Sequence, residues 1–534
     1  MILSSLIENL SDIVRCSADA HGDRTALKHK NHSLSYAELA VAMDEFAAAL
    51  LELELPRFGR IALFTGKQPE TVIAAFAASR IGGVFVPINP IFKPAQVAYL
   101  LQDCAVQILV TTKARLDAIQ SILPDCGKLR HVIVIDDPAP ESSGKGLQIL
   151  AWQSLLGKNS AVSFPRPIGS DMAAIMYTSG STGKPKGVVL SQANMTIGAA
   201  SVAQYLENSA EDRILSVLPL SFDAGLSQLT TGFHAGACVV LHDYFLASDI
   251  VRMIERERIT GITGVPPLWM QLTEQKWPDG STDEVRYFAN TGGKMPRKTL
   301  GQLRKIFPHA KPYLMYGLTE SFRSTYLPPS EVDLRPDSMG KAIPNVEVMV
   351  VADDGSLCGA GEVGELVHRG PLVSLGYWND PERTAARFRP APGQPAELPN
   401  PELAVWSGDS VKMDDAGFLY FVGRKDDMIK TSGYRVSPAE IEEVVYDSGL
   451  VAEVAALGVA NERLGQSIVL LAKPKNAGDQ PTEALLEHMR VQVPNYMVPH
   501  AVHWRDSLPR NANGKLDRRA MSADLVSAAE EDET

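Results

Sequence analysis

Between Thr178 and Gly187 the chain reads Thr-Ser-Gly-Ser-Thr-Gly-Lys-Pro-Lys-Gly, a run whose residue types suit anion binding. Glycines such as Gly180 and Gly183 let backbone N–H groups turn toward an anion. The hydroxyls of Thr178, Ser179, Ser181 and Thr182 add donors, and Lys184 and Lys186 add positive charge. In composition this is a cradle for a triphosphate. It is not a GxxxxGK[ST] loop: only two residues separate Gly180 from Gly183, and Pro185 follows Lys184 where Ser or Thr is required. A flexible Gly/Ser linker is the alternative. Such a linker would rarely carry two lysines or sit between apolar strand-like runs, here Asp171–Tyr177 and Val188–Leu190.

The elements that must position this loop alternate in type. Apolar residues from Ser35 to Glu54 fall at helical spacing, followed by a strand-like run at Ile61–Phe64. A helix at Glu70–Ser79, a strand at Val84–Pro87, a helix at Pro94–Gln102 and a strand at Val106–Thr111 continue the pattern. After the loop, strands are expected at Ile214–Val217, Cys238–Leu241 and Gly261–Val265. Such alternation predicts sheets covered by helices. Beyond Met339 the texture changes to short β runs with turn residues, and beyond Lys430 a last αβ unit follows, with a helix at Pro438–Asp447.

The whole chain has 534 residues, enough for three or four structural units at roughly 100–200 residues each. Its 51 basic and 63 acidic side chains give a net charge of −12, with no strongly basic stretch. Nucleic acid is therefore not an expected partner, because phosphate contacts need clustered Lys and Arg. The most apolar window, Thr71–Val86, is interrupted by Arg80 and is too short to cross a bilayer, so no integral membrane segment is expected. Met1–Leu10 lacks the basic residue and cleavage site of a secretory signal. The five cysteines form no CxxC pair and read as reduced thiols, which places the protein in the cytoplasm.

The loop, with Thr291-Gly-Gly-Lys-Met-Pro296, Tyr316-Gly-Leu-Thr-Glu-Ser321, Trp406-Ser-Gly-Asp409, Gly423-Arg-Lys-Asp-Asp427 and Asn513-Gly-Lys515, resembles in order the signatures of the adenylate-forming superfamily: acyl-CoA synthetases, peptide-synthetase adenylation domains and luciferase. The resemblance implies an AMP-forming acid–thiol ligase. ATP and an acid give an acyl-adenylate and pyrophosphate, and the acyl group then passes to a pantetheine thiol of CoA or of a carrier protein. It assigns Tyr316 to the adenine, Gly292 and Gly293 to backbone lining the adenine and acid, Thr319 to the α-phosphate and Glu320 to Mg²⁺. Asp409 would hold the ribose hydroxyls, with Arg424 beside it, and Lys515 would reach between carboxylate and α-phosphate. It also implies a hinge at Asp426, about which the C-terminal domain turns to present Gly433 to the pantetheine arm. The expected architecture is α/β: an N-terminal AMP-binding domain, 1–425, of two helix-covered sheets plus a β-rich subdomain, and a small mobile α+β domain, 426–534.

The acid is less constrained. Phe222-Asp223 stands where many acyl-CoA synthetases carry an aromatic-His pair, and is closer to amino-acid-activating domains, whose Asp pairs with the substrate ammonium. An amino acid loaded onto a peptidyl carrier protein is accordingly the alternative reading. Matching by segment places Ser227, Gly264, Ala289, Thr291 and Met315 at the pocket, the first four being small and suggesting room. Arg323 could pair with an acidic group of substrate or phosphate, or turn to solvent. Gln192 replaces a His common in the family, and Arg505, Arg510, Arg518 and Arg519 are candidates to receive an acidic carrier helix. A luciferase-like oxygenase and a non-catalytic nucleotide-binding regulator are the other classes; intact Glu320, Asp409 and Lys515 speak against the latter.

Overall fold

The computed structural model describes residues 7–137, 146–157, 162–178, 185–395, 397–424, 428–431, 434–461, 464–493, 495–511 and 514–532. One sheet has the strand order Gln148–Ala151, His131–Val134, Ile108–Thr111, Arg60–Phe64, Val84–Pro87, Met172–Thr178, Lys186–Ser191. Its pairs are parallel except the last, an antiparallel hairpin that has the glycine-rich loop as its connection. These strands are short apolar runs because parallel strands are buried on both faces.

The second sheet follows a longer path. Its parallel centre comprises Thr25–His29, Cys238–Leu241, Arg213–Ser216, Gly261–Gly264, Tyr287–Asn290 and Lys311–Tyr316. The β-rich region continues it rather than standing apart, since Ser338–Ala342 pairs with Thr325–Leu327 on one side and Leu419–Arg424 on the other. Helices between the two sheets share one core with both. Pro69–Arg80 buries every residue from Thr71 to Ser79, as a helix enclosed by layers on all sides must. Gln192 belongs to this core: its Oε1 accepts from the Leu10 N–H at 2.9 Å and the Ser79 hydroxyl at 2.7 Å, so the residue ties the first helix to the second layer.

The smaller C-terminal part has its own five-stranded sheet, with Val451–Asn461 and Gly465–Pro474 as the long central pair, and separate apolar cores. It meets the larger part through ions. Lys294 Nζ lies 2.7 Å from Glu443 Oε2, and Arg297 Nε lies 3.7 Å from Glu443 Oε1.

Candidate active site

The candidate phosphate side is assembled from three distant segments. Strand Lys186–Ser191 pairs with Met172–Thr178, setting Thr178 opposite Lys186. On its other edge, the Trp378 N–H donates to Gly187 O and the Val189 N–H to Gly376 O. That second pairing delivers Tyr377, which sequence reasoning missed. Lys186 Nζ donates to Glu320 Oε1 and to Tyr377 Oη, both at 2.7 Å, and the Tyr377 hydroxyl donates to Glu320 Oε1 at 2.6 Å. Burial alone would raise the Glu320 pKa, but Lys186 and Arg387 outweigh it and hold it down to about 2. Glu320 is thus ionised at neutral pH. Burial pulls the Lys186 pKa down, with Glu320 opposing. Thr319, half-buried, opens the short turn that carries Glu320. Ser179, Gly180, Ser181, Thr182, Gly183 and Lys184 lie outside the described residues.

Beside this cluster, the Tyr316 hydroxyl donates to Asp409 Oδ2, and Arg424 Nε lies 3.2 Å from Asp409 Oδ1. Asp409 and Arg424 are direct cross-strand partners, which explains why signatures 15 residues apart converge. Burial raises the Asp409 pKa and Arg424 opposes it. Arg387, a second residue the motifs did not announce, sits against Gly408: a Cβ there would fall 2.9 Å from Arg387 Nη1.

Lys515 enters from the C-terminal part. It ends a turn in which the Asn511 N–H donates to Lys515 O at 2.8 Å and Gly514 has φ 77°. Its side chain runs into the cleft: a Cβ on Gly292 would lie 3.7 Å from Lys515 Cε and 3.8 Å from Phe222 Cζ. Gly292 has φ 76°, and this left-handed backbone calls for glycine. The cleft is open to water along part of the lysine, yet protein crowds the ammonium and lowers its pKa; Asp223, Asp409 and Glu320 pull the other way and Arg424 adds to the lowering. Asp426 and Gly433 lie outside the described residues.

The remaining candidates are those expected on the acid side. Helix Asp223–His234 starts hard against the preceding loop, where a Cβ on Gly225 would come within 2.0 Å of Pro219 O. Asp223 is 5% exposed, and burial raises its pKa against the pull of Arg323 and Lys515. Arg323 is 3% exposed, so it does not turn to solvent; its Nη1 donates to Thr291 Oγ1 at 2.8 Å. Phe322 makes this possible, with φ 57° and ψ −62° and a 2.6 Å bond from the Arg323 N–H to Ser321 O. That is a γ-turn, a rare and strained conformation.

Arg323, Ser227 and Met315 line one small cavity of about 20 Å³, together with Gln228, Thr231, Thr263 and Tyr287, which the sequence did not single out. The expected roominess is not there. Gly264 leaves its space to Trp269, whose ring lies 2.8 Å from where a Cβ would be, and the arginine fills more. Ala289 is fully buried in its strand.

An ionised Glu320 paired to a lysine, a carboxylate–arginine pair beside Tyr316, and a second lysine reaching to Gly292 are the groups an adenylate-forming enzyme requires. Residues 14–378 match the AMP-binding enzyme family and residues 440–515 its C-terminal domain, so the chain belongs to that family. It is 31% identical over 518 residues to an indoleacetate–CoA ligase of Aromatoleum aromaticum, covering 95% of this chain and 96% of the relative. It is 30% identical over 512 residues to an L-proline–[L-prolyl-carrier protein] ligase of Pseudomonas fluorescens, covering 93% and 96%. Among solved structures, o-succinylbenzoate CoA synthetase from Bacillus subtilis, in complex with its acyl-adenylate, superposes with a TM-score of 0.81 at 26% identity over 96% of this chain and 98% of that one. The fold and family are those of AMP-forming acid–thiol ligases. Among the described residues, no helix is long and apolar enough to cross a membrane.

Proposed function

We propose that this protein joins a small carboxylic acid to a thiol in two steps at one site. In the first, a carboxylate oxygen attacks the α-phosphorus of ATP and pyrophosphate leaves. In the second, a thiolate of CoA or of a carrier protein's phosphopantetheine attacks the acyl carbonyl and AMP leaves. The observation that carries the reading is the reach of Lys515 from the C-terminal part to Gly292 and Phe222, between the acid side and the phosphate side. Charge developing at the α-phosphate is what a positioned ammonium stabilises.

In this reading Thr178, Lys186, Thr319 and the loop through Lys184 hold the phosphates, Tyr316, Gly292 and Gly293 the adenine, and Asp409 with Arg424 the ribose. Mg²⁺ is commonly held by one or two carboxylates plus substrate phosphates, and the ionised, buried Glu320 fits that donor set. Bound there it would neutralise phosphate charge. Binding of the nucleotide would draw Lys186 off Glu320 toward phosphate oxygen. Asp426 serves as hinge between domains 1–425 and 426–534, and Gly433 lines the path of the thiol. The five cysteines, none paired with another among the described residues, suit a reducing cytoplasm.

A buried Asp223 at the start of its helix favours a second reading, an amino acid loaded onto a peptidyl carrier protein. For carrier docking the basic candidates are unequal. Arg510 is bound to Glu453 at 3.0 Å and Arg518 to Glu442, whereas Arg505 and Arg519 are exposed. ATP–pyrophosphate exchange across fatty, aryl and amino acids tests the first step, and mass measurement after incubation with CoA or holo carrier protein tests the second. Absence of acid-dependent exchange would sink the reading.

A further inference from the structure

A carboxyl group and a guanidinium, Asp223 and Arg323, are buried on the proposed acid side with no ion pair between them. Asp223 accepts from the Ala224 N–H at 2.8 Å, and Arg323 donates from Nη1 to Thr291. They feel each other's field, yet no ion pair among the described residues includes either one. Arg323 Nε is buried and has no hydrogen-bond partner among the described residues. A guanidinium offers five N–H donors, and leaving it desolvated and unpaired is costly. The γ-turn at Phe322 separates its direction from that of Glu320, so the arginine lines the cavity with Ser227, Gln228 and Thr231 while the glutamate meets Lys186.

A site that holds such a charge in reserve is complementary to an occupant carrying the opposite one. An unsubstituted fatty or aryl acid would leave both groups without a partner of opposite charge. We infer that the acid activated here is a short amino dicarboxylate: one carboxylate goes to the adenylation centre, the ammonium meets Asp223, and the second carboxylate takes the free donors of Arg323. This inference rests on the ligase reading and adds the substrate class to it. The cavity of about 20 Å³ has room for little beyond a carboxylate head, which sets the chain length short.

The test is ATP–pyrophosphate exchange with aspartate, glutamate and 3-aminopentanedioate, each beside an analogue lacking one charge: asparagine, glutamine, 3-aminobutanoate and succinate. One amino dicarboxylate should exceed its neutral analogue by roughly 100-fold or more in kcat/KM, the scale of breaking a buried charge pair. Arg323→Gln should erase that preference, raising KM for the dicarboxylate far more than KM for ATP, and Arg323→Lys should restore part of it. Best exchange with a neutral or unsubstituted acid, or an unchanged ranking in a folded, ATP-binding Arg323→Gln protein, overturns the inference and leaves the ligase reading standing. No exchange with any acid overturns the ligase reading, and the inference with it.

Discussion

Lys186 and Glu320, 134 positions apart in the chain, meet at 2.7 Å, and the pair is closed by the hydroxyl of Tyr377. The contact depends on three strand and turn segments converging, and it keeps a carboxylate ionised inside the protein. In the proposed reading, the lysine meant for phosphate and the carboxylate meant for Mg²⁺ are thereby held in mutual contact.

Tyr377→Phe removes one hydrogen bond to each of two charged groups and little volume. Hydrogen bonds to charges contribute about 1.5–3 kcal/mol, so the melting temperature should drop by a few degrees and kcat/KM for ATP in pyrophosphate exchange should fall roughly 10- to 100-fold in the still folded protein. Unaltered exchange kinetics would remove Tyr377 from the site.

Lys515→Ala should separate the two half-reactions. Loss of a group placed on developing charge costs about 10²–10³-fold or more, so adenylate formation, followed by hydroxamate trapping, should drop by that amount. Thioester formation from a synthetic acyl-adenylate should hold within a few-fold. Equal losses in both steps would contradict a role confined to the first.

Glu443 clamps the smaller part to Lys294 and Arg297 in the arrangement that inserts Lys515. These ions are partly exposed, and such pairs contribute about 0.2–1 kcal/mol. Glu443→Gln should therefore lower the rate of the first half-reaction only about two- to five-fold at low salt, with the difference vanishing as salt is raised. A salt-independent defect would point to misfolding instead.

His368 is fully buried, and burial depresses its pKa from 6.5 to about 3, with Ser324 Oγ 3.1 Å from Nδ1. The unfolded chain therefore binds more protons than the folded one between those values. Its contribution is complete above pH 6.5 and is lost as pH falls toward 3. Denaturant unfolding should show wild type losing up to about 1.4 kcal/mol per pH unit relative to His368→Gln over that interval. Parallel profiles for the two proteins would refute the assignment.

Much of this architecture is legible in residue types. Val84–Pro87, Cys238–Leu241 and Pro438–Asp447 are bounded as their apolar patterns predict, because continuous apolar runs and helical spacing report burial directly. The signatures around Lys186, Glu320, Asp409 and Lys515 likewise name groups that the fold brings around one cleft, and anion and ribose chemistry would require such groups. Less legible are the first helix, Leu10–His21, and the edge hairpin Thr25–Ser35, whose short strands carry polar residues such as Lys28, His29 and His32.

The acid side belongs to the assembled molecule. Tyr377 and Arg387 carry no local signal, because a strand pairing and a glycine contact, not sequence neighbours, bring them to the site. Small residues suggest space, but Gly264 yields its space to Trp269, and whether a missing side chain makes a cavity depends on what packs opposite. The direction of Arg323 hangs on a positive φ at Phe322, a residue type that does not advertise one. Types and order thus specify the class of reaction, whereas the directions of Asp223 and Arg323, on which the inferred choice of acid rests, are set by packing between segments distant in the chain.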